Sequence, residues 1–314
     1  MKVSSAVRLL PVAAAAGLVL AACGGDGDEA TASSGPSVVA SFYPLHYVAE
    51  RVAGPDAAVE NLTPPGAEAH DLELTGQQVG RIADADLVVY LSGFQPALDE
   101  AISQNAVDSS LDVAGTVRLI EAGDEEHAHE PGEEDDDHGD LDGDPHVWLD
   151  PDNMVAIAEA VTDQLSDLDP DSAGAFQQRA DELVADLADL DEEYTAGLAD
   201  CERRVFVTSH AAFGYLADRY DLEMVGISGL DPEAEPSPAR LAEVQHAVED
   251  AGVTTVFYER LVSPAVAESL AADLGIETAV LDPIEGLTDE TEDEDYLSLM
   301  RANLAALTEA NGCA

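Results

Sequence analysis

Lysine is almost missing from this chain. Its 314 residues hold one, Lys2, and 12 basic residues stand against 66 acidic ones, a formal net charge of −54. A surface of that sign repels a phosphate backbone, so nucleic-acid binding is excluded as a function class. Self-repulsion of this size is best tolerated where salt screens it, which points to a protein that stays soluble in high salt. Cysteine is scarce as well: Cys23, Cys201 and Cys313. Cys201 and Cys313 lack the close spacing of a thiolate zinc knuckle. Beyond Leu20 no run is long and apolar enough to span a bilayer. No His-Glu-x-x-His pattern occurs, which removes the helix-borne motif of zinc peptidases. Apolar residues still make up 46% of the chain, so disorder throughout is not expected.

The amino terminus carries an address. Lys2 and Arg8 precede a short apolar run from Leu9 to Leu20, which reads as a signal-peptide core. It ends in Leu20-Ala21-Ala22-Cys23-Gly24, a bacterial lipobox that predicts lipidation of Cys23. Residues 1–23 are therefore expected to be a lipoprotein signal peptide. Residues 24–37, rich in Gly, Asp and Ser, are expected to be a flexible tether. The expected location is extracytoplasmic, lipid-anchored to the cell membrane. In that oxidising setting Cys201 and Cys313 are expected to form one disulfide, closing a loop of about 110 residues and contributing a few kcal/mol.

Periodicity predicts an α/β fold. Short apolar runs at 38–42, 57–62 and 86–91 alternate with helical patterns near 45–52, 77–83 and 96–106. The second half repeats the style, with strands at 205–208, 224–227, 254–258 and 278–281. Helices near 211–219, 238–250, 264–274 and 296–310 separate or follow them. Such alternation implies parallel sheets covered by helices on both faces. In between, Phe176, Ala180, Leu183, Leu187, Leu190 and Tyr194 fall at steps of four and three, one stripe of a single helix from about 172 to 199. The expected organisation is an N-terminal lobe over 38–150, a helical region over 151–200 with the long connecting helix, and a C-terminal lobe over 201–314.

Three histidines stand in segments that suit a buried metal site. His70 closes Pro64-Pro65-Gly66-Ala67-Glu68-Ala69-His70. His146 sits in Asp144-Pro145-His146-Val147-Trp148-Leu149-Asp150-Pro151, and His210 in Thr208-Ser209-His210-Ala211-Ala212-Phe213-Gly214. Imidazole suits zinc better than calcium or magnesium. His70, His210 and the acids Asp282 and Glu285 all follow predicted strands, and ligands in open α/β sheets bind beyond the carboxyl ends of strands. The metal is thus expected in a cleft between the lobes. Trp148 is read as packing that orients His146. Asp150 either caps the next helix or accepts from the imidazole, and Glu259 faces the cleft or pairs elsewhere without being a ligand.

These three segments and the lipobox resemble the cluster A-I zinc-binding lipoproteins that feed ATP-binding-cassette importers. So do Gly93-Phe94-Gln95-Pro96-Ala97-Leu98-Asp99-Glu100, the stretch from Ile227 to Pro238, and Leu281-Asp282-Pro283-Ile284-Glu285-Gly286-Leu287. The resemblance runs from about 37 to 313. It implies two lobes, each with a parallel sheet flanked by helices, joined by one long rigid helix, and a site built from His70, His146 and His210. Manganese-binding relatives resemble it with a glutamate at the third position, where this chain has His210. For the fourth ligand the resemblance favours Glu285, with Asp282, Glu68 and water as alternatives. The acidic segment 124–144, with His127, His129 and His138, matches the histidine-rich loop of zinc members but is dominated by carboxylates.

The function so implied is capture of Zn2+ as cargo and its delivery to a permease driven by an ATPase. No enzyme activity is expected, and the protein is expected to act as a monomer. The alternatives are a manganese or iron carrier of the same fold and a secreted zinc metallohydrolase.

Overall fold

The computed structural model describes residues 35–121 and 143–314. The expected signal peptide with Cys23, most of the expected tether, and His127, His129 and His138 of the acidic segment lie outside the described residues.

Strands rich in valine and buried on both faces form the middle of two parallel sheets, as crossover-covered strands do. In the first, β1 (Ser37–Ala40) and β3 (Leu87–Tyr90) are central, with β2 (Ala58–Asn61) and β4 (Ser110–Asp112) at the edges, in the order β2-β1-β3-β4. Val39 pairs with both Glu60 and Val88, and Val89 with Leu111. The second sheet repeats the order as β6-β5-β7-β8, from β5 (Val205–Thr208), β6 (Glu223–Gly226), β7 (Thr255–Tyr258) and β8 (Glu277–Val280). The α/β class with two parallel sheets is as expected. The strand β4 was not: three residues, Ser110-Leu111-Asp112, are too few to set a period, and the edge of β3 supplies the pairing.

Helices α1 (Tyr43–Ala53), α2 (Gly76–Asp84) and α3 (Pro96–Asn105) connect the first sheet. In the second, α6 (Gly214–Arg219), α7 (Pro238–Ala251) and α8 (Ala265–Leu274) do the same, and α9 (Tyr296–Asn311) closes the chain. Capping chemistry sets their starts. Thr75 and Gln78 form a capping box on α2, and Asp295 and Ser298 another on α9.

The helical region between the sheets is a hairpin of α4 (Pro151–Leu168) and α5 (Ala173–Gly197). The buried residues of α5 are the six of the predicted stripe. At 25 residues α5 is about 37 Å long. Near its start Arg179 donates to the carbonyls of Val52 and Ala53, each at 2.7 Å, and so caps the end of α1. Gly54, at φ 53°, makes room for that guanidinium: a Cβ there would lie 2.8 Å from Arg179 Nε. Near the other end the Tyr194 hydroxyl donates to the Met300 carbonyl of α9 at 2.6 Å. One helix is thereby fastened to both lobes.

Of three apolar clusters among the described residues, the largest runs through both lobes, joining Phe42, Trp148, Leu187, Tyr215, Ile284 and Tyr296, and each lobe has a smaller one of its own. Polar bonds cross the same seam. Trp148 Nε1 donates to the Pro283 carbonyl at 2.6 Å, and the Tyr296 hydroxyl to the Trp148 carbonyl at 2.6 Å. Arg219 reaches Asp150 at 3.0 Å, Asp152 at 2.5 Å and Asp191 at 2.6 Å. Cys201 and Cys313 are joined as a disulfide, tying the end of α9 to the start of the second lobe.

Candidate metal centre

His70 lies in the loop between β2 and α2, and backbone bonds hold it there. Gly66, at φ 79°, donates its N–H to the Leu287 carbonyl across the cleft at 2.7 Å. Gln95, itself buried, donates its amide to the Ala69 carbonyl at 2.9 Å. The Glu68 carboxylate accepts the N–H groups of His70 and Asp71, each at 3.0 Å, so it closes the turn. The imidazole stacks edge-on against Phe94 at 4.6 Å between ring centres.

His146 precedes α4. Asp144 Oδ1 accepts both its backbone N–H, at 2.9 Å, and its Nδ1, at 2.7 Å. Trp148 packs beside the ring at 5.3 Å. Asp150 takes the capping role of its two expected ones: its carboxylate accepts the Asp152 N–H at 2.9 Å and pairs with Arg219. The acceptor for the imidazole is Asp144 instead.

His210 and Glu259 leave the carboxyl ends of β5 and β7, neighbouring strands at the point where the strand order reverses. Ligand sites form there because the connections on either side of it run in opposite directions and leave a crevice. Glu259 Oε1 accepts from His210 Nδ1 at 2.7 Å and from the Ser209 hydroxyl at 2.5 Å. The Glu259 carboxylate is therefore engaged with His210 and Ser209, and Glu259 is not among the four residues that the fold gathers. Its nearness to β5 is a property of the sheet order, which linear sequence does not display.

Glu285 follows β8 and is 1% exposed. Ile284 before it adopts φ 60°, a conformation rare for a β-branched residue, and its N–H is held by Asp282 Oδ1 at 2.8 Å. Asp282 also lies 3.3 Å from Arg260, so its carboxylate is committed to the turn. Of the fourth-ligand alternatives, neither Asp282 nor Glu68 belongs to the group that the fold gathers.

That group is His70, His146, His210 and Glu285, whose ligand atoms lie within 4.8 Å of one another. Glu285 Oε1 stands 3.4 Å from His70 Nε2, 3.5 Å from His146 Nε2 and 3.6 Å from His210 Nε2. The Nε2 atoms of His146 and His210 are 3.3 Å apart. A tetrahedron around zinc, with bonds of about 2.05 Å, has edges of about 3.3–3.4 Å. Four of the six separations in the cluster lie within about 0.3 Å of that, and none exceeds 4.8 Å. Glu285 Oε1 and His70 Nε2 are buried without a hydrogen-bond partner, as atoms awaiting a cation would be.

The electrostatics agree. Burial pushes the Glu285 carboxyl up, but the imidazoles of His146, His210 and His70 outweigh it and hold the group well below the carboxylate range. Burial opposes a charged His210, yet Glu259 and Glu285 push its pKa up to about 10. Asp144 and Glu285 likewise outweigh burial and raise His146. Glu285 is thus held ionised among three imidazoles, and a cation bound there would take the place of the protons that His146 and His210 hold.

Comparison with known proteins agrees with this geometry. Residues 38–310 match the family model described as ZnuA, zinc-uptake complex component A, periplasmic. The zinc-binding lipoprotein AdcA of Streptococcus pneumoniae is 37% identical over 305 residues, 95% of this chain, and the chain spans 60% of that relative's length. The high-affinity zinc uptake system protein ZnuA of Bacillus subtilis is 35% identical over 309 residues, covering 95% of this chain and 96% of the relative. The crystal structure of the Zn(II)-bound ZnuA-like domain of Streptococcus pneumoniae AdcA superposes with a TM-score of 0.73 at 34% identity, covering 88% of this chain and 99% of that domain. With its two parallel sheets, its long joining helix and a family match over most of its length, the chain belongs to the ZnuA family of zinc-uptake components.

Proposed function

We propose that this chain captures Zn2+ outside the cytoplasmic membrane and delivers it to an ATP-binding-cassette permease and its ATPase. It does so as a monomer, tethered by a lipid on Cys23. His70, His146, His210 and Glu285 are the ligands. The observation that carries the reading is the convergence of their four ligand atoms within 4.8 Å of one another, four of the six separations being 3.3 to 3.6 Å. Three imidazoles and one carboxylate suit zinc, whereas manganese favours a set richer in oxygen. Four protein ligands fill the shell and leave no position for a reactive water, so capture fits the site and hydrolysis does not. The family it belongs to is a component of an uptake complex rather than an enzyme.

Each ligand has its part. Asp144 and Glu259 fix the tautomer of His146 and His210, so that Nε2 is the nitrogen offered and its lone pair is strengthened. Glu285 neutralises half of the ion's charge in a site where it, His146 and His210 are buried. A shell so complete releases its ion slowly, so delivery requires that docking on the permease disturb it.

Metal content of the purified protein, followed by competition between zinc and manganese against a chelator, tests the reading. One zinc per chain, held in preference to manganese, is expected. Manganese retained over zinc, or esterase or peptidase turnover, would overturn it.

A further inference from the structure

A cavity of about 480 Å³ opens beside Asp144, the residue that supports His146. Ile120, Ala211, Met224 and Leu230 give it apolar walls, and Glu121 and Glu243 add negative charge. The arginine lining it, Arg240, is already engaged: Nε and Nη2 donate to the Gly226 carbonyl at 3.1 and 2.6 Å, and Nη1 lies 3.5 Å from Glu243. Asp144 is 2% exposed, and both bonds of its carboxylate to His146 fall on Oδ1. Oδ2 has no hydrogen bond among the described residues. It faces Gly214, which lines the same cavity, and a Cβ added at Gly214 would lie 2.5 Å from it. The second oxygen of an otherwise buried carboxylate, without a donor among the described residues, is therefore accessible from the cavity.

We propose that this cavity receives a cationic head on an apolar stem, an arginine or lysine side chain of the membrane permease, and that its contact with Asp144 loosens the metal. The inference rests on the delivery function proposed above. The walls match a methylene stem, and the acids match its head. A cation on Oδ2 draws charge away from Oδ1, so His146 loses part of the support that keeps its lone pair on zinc. Changes of this kind in the support of a ligand typically cost 10–100-fold in metal affinity.

The test follows zinc transfer from the full chain to a chelator at constant ionic strength, with butylguanidinium or its uncharged isostere butylurea added. Saturable acceleration of roughly tenfold by butylguanidinium alone is expected. Ala247→Leu narrows the cavity from α7 without touching a metal ligand, and should abolish the acceleration while leaving the basal rate unchanged. Equal acceleration by butylurea, acceleration surviving in Ala247→Leu, or no saturable effect would overturn the inference and leave zinc capture standing. Failure of the untreated protein to hold zinc would instead overturn the function on which it rests.

Discussion

His146 and His210 turn Nε2 towards Glu285 because Asp144 and Glu259 hold the opposite nitrogens, each at 2.7 Å. Glu259→Ala should therefore weaken zinc roughly 10–100-fold with the fold intact, measured by chelator competition beside circular dichroism. An unchanged affinity would remove Glu259 from the site. The raised pKa of His210, to about 10, carries a sign as well. In the metal-free protein its proton stabilises the fold fully below the ordinary histidine value of about 6.5, and that contribution is lost as pH rises through about 10. Zinc needs the neutral ring, so its affinity should run the other way. From pH 7 towards 10 it should rise about tenfold per unit for each proton displaced. Calorimetry in buffers of different ionisation heat reads the proton release, and a flat profile would contradict it. At this scale the three histidines are legible in the sequence, each in a distinctive segment, whereas Glu285 is favoured over Asp282, Glu68 and water by the family resemblance, since Asp282 follows the same strand. The sequence did not show Asp144 or Glu259 as supports. Asp144 stood inside an acidic run that masked its one neighbour of consequence, and Glu259 meets His210 only through the pairing of β5 with β7.

The long helix α5 is the element on which the relation of the two lobes depends. Its stripe was readable because six apolar residues at steps of four and three have no other regular use. The break before it agrees with the expected start near 172: α4 and α5 are separate helices with Pro170 in the turn between them. Leu187 is fully buried in the middle of α5. Leu187→Ala should cost about 2–5 kcal/mol through lost transfer energy and the cavity left behind. Denaturant unfolding measures that cost. A loss below 1 kcal/mol would mean that the helix relaxes around the gap and is a softer joint than its contacts imply.

Across the molecule, charge is the dominant fact. All ten arginines of the described residues lie within 4.0 Å of a carboxylate, yet the full chain has 66 acids to 12 bases. The carboxylates thus far outnumber the basic groups available to pair with them. Raising salt from about 0.1 M to about 1 M shortens the screening length from roughly 10 Å to roughly 3 Å. The melting temperature should rise over that range, and one that falls with added sodium chloride would show that the ion pairs outweigh the repulsion. Composition alone allowed that expectation. The core shared by the two lobes was beyond it, since nothing in the sequence pairs Tyr296 with Trp148 or Trp148 with Pro283.

The central claim is that Glu285 completes the zinc shell while Asp282 and Glu68 serve the backbone around it. The zinc dissociation constants of Glu285→Ala, Asp282→Ala and Glu68→Ala, measured side by side, test it most directly. Glu285→Ala is expected to lose more than the roughly 100-fold that bounds changes in the support of a ligand, with the other two staying within about tenfold of the unaltered protein. Zinc held as tightly by Glu285→Ala as by the unaltered protein, or a greater loss in Asp282→Ala or Glu68→Ala, would contradict it.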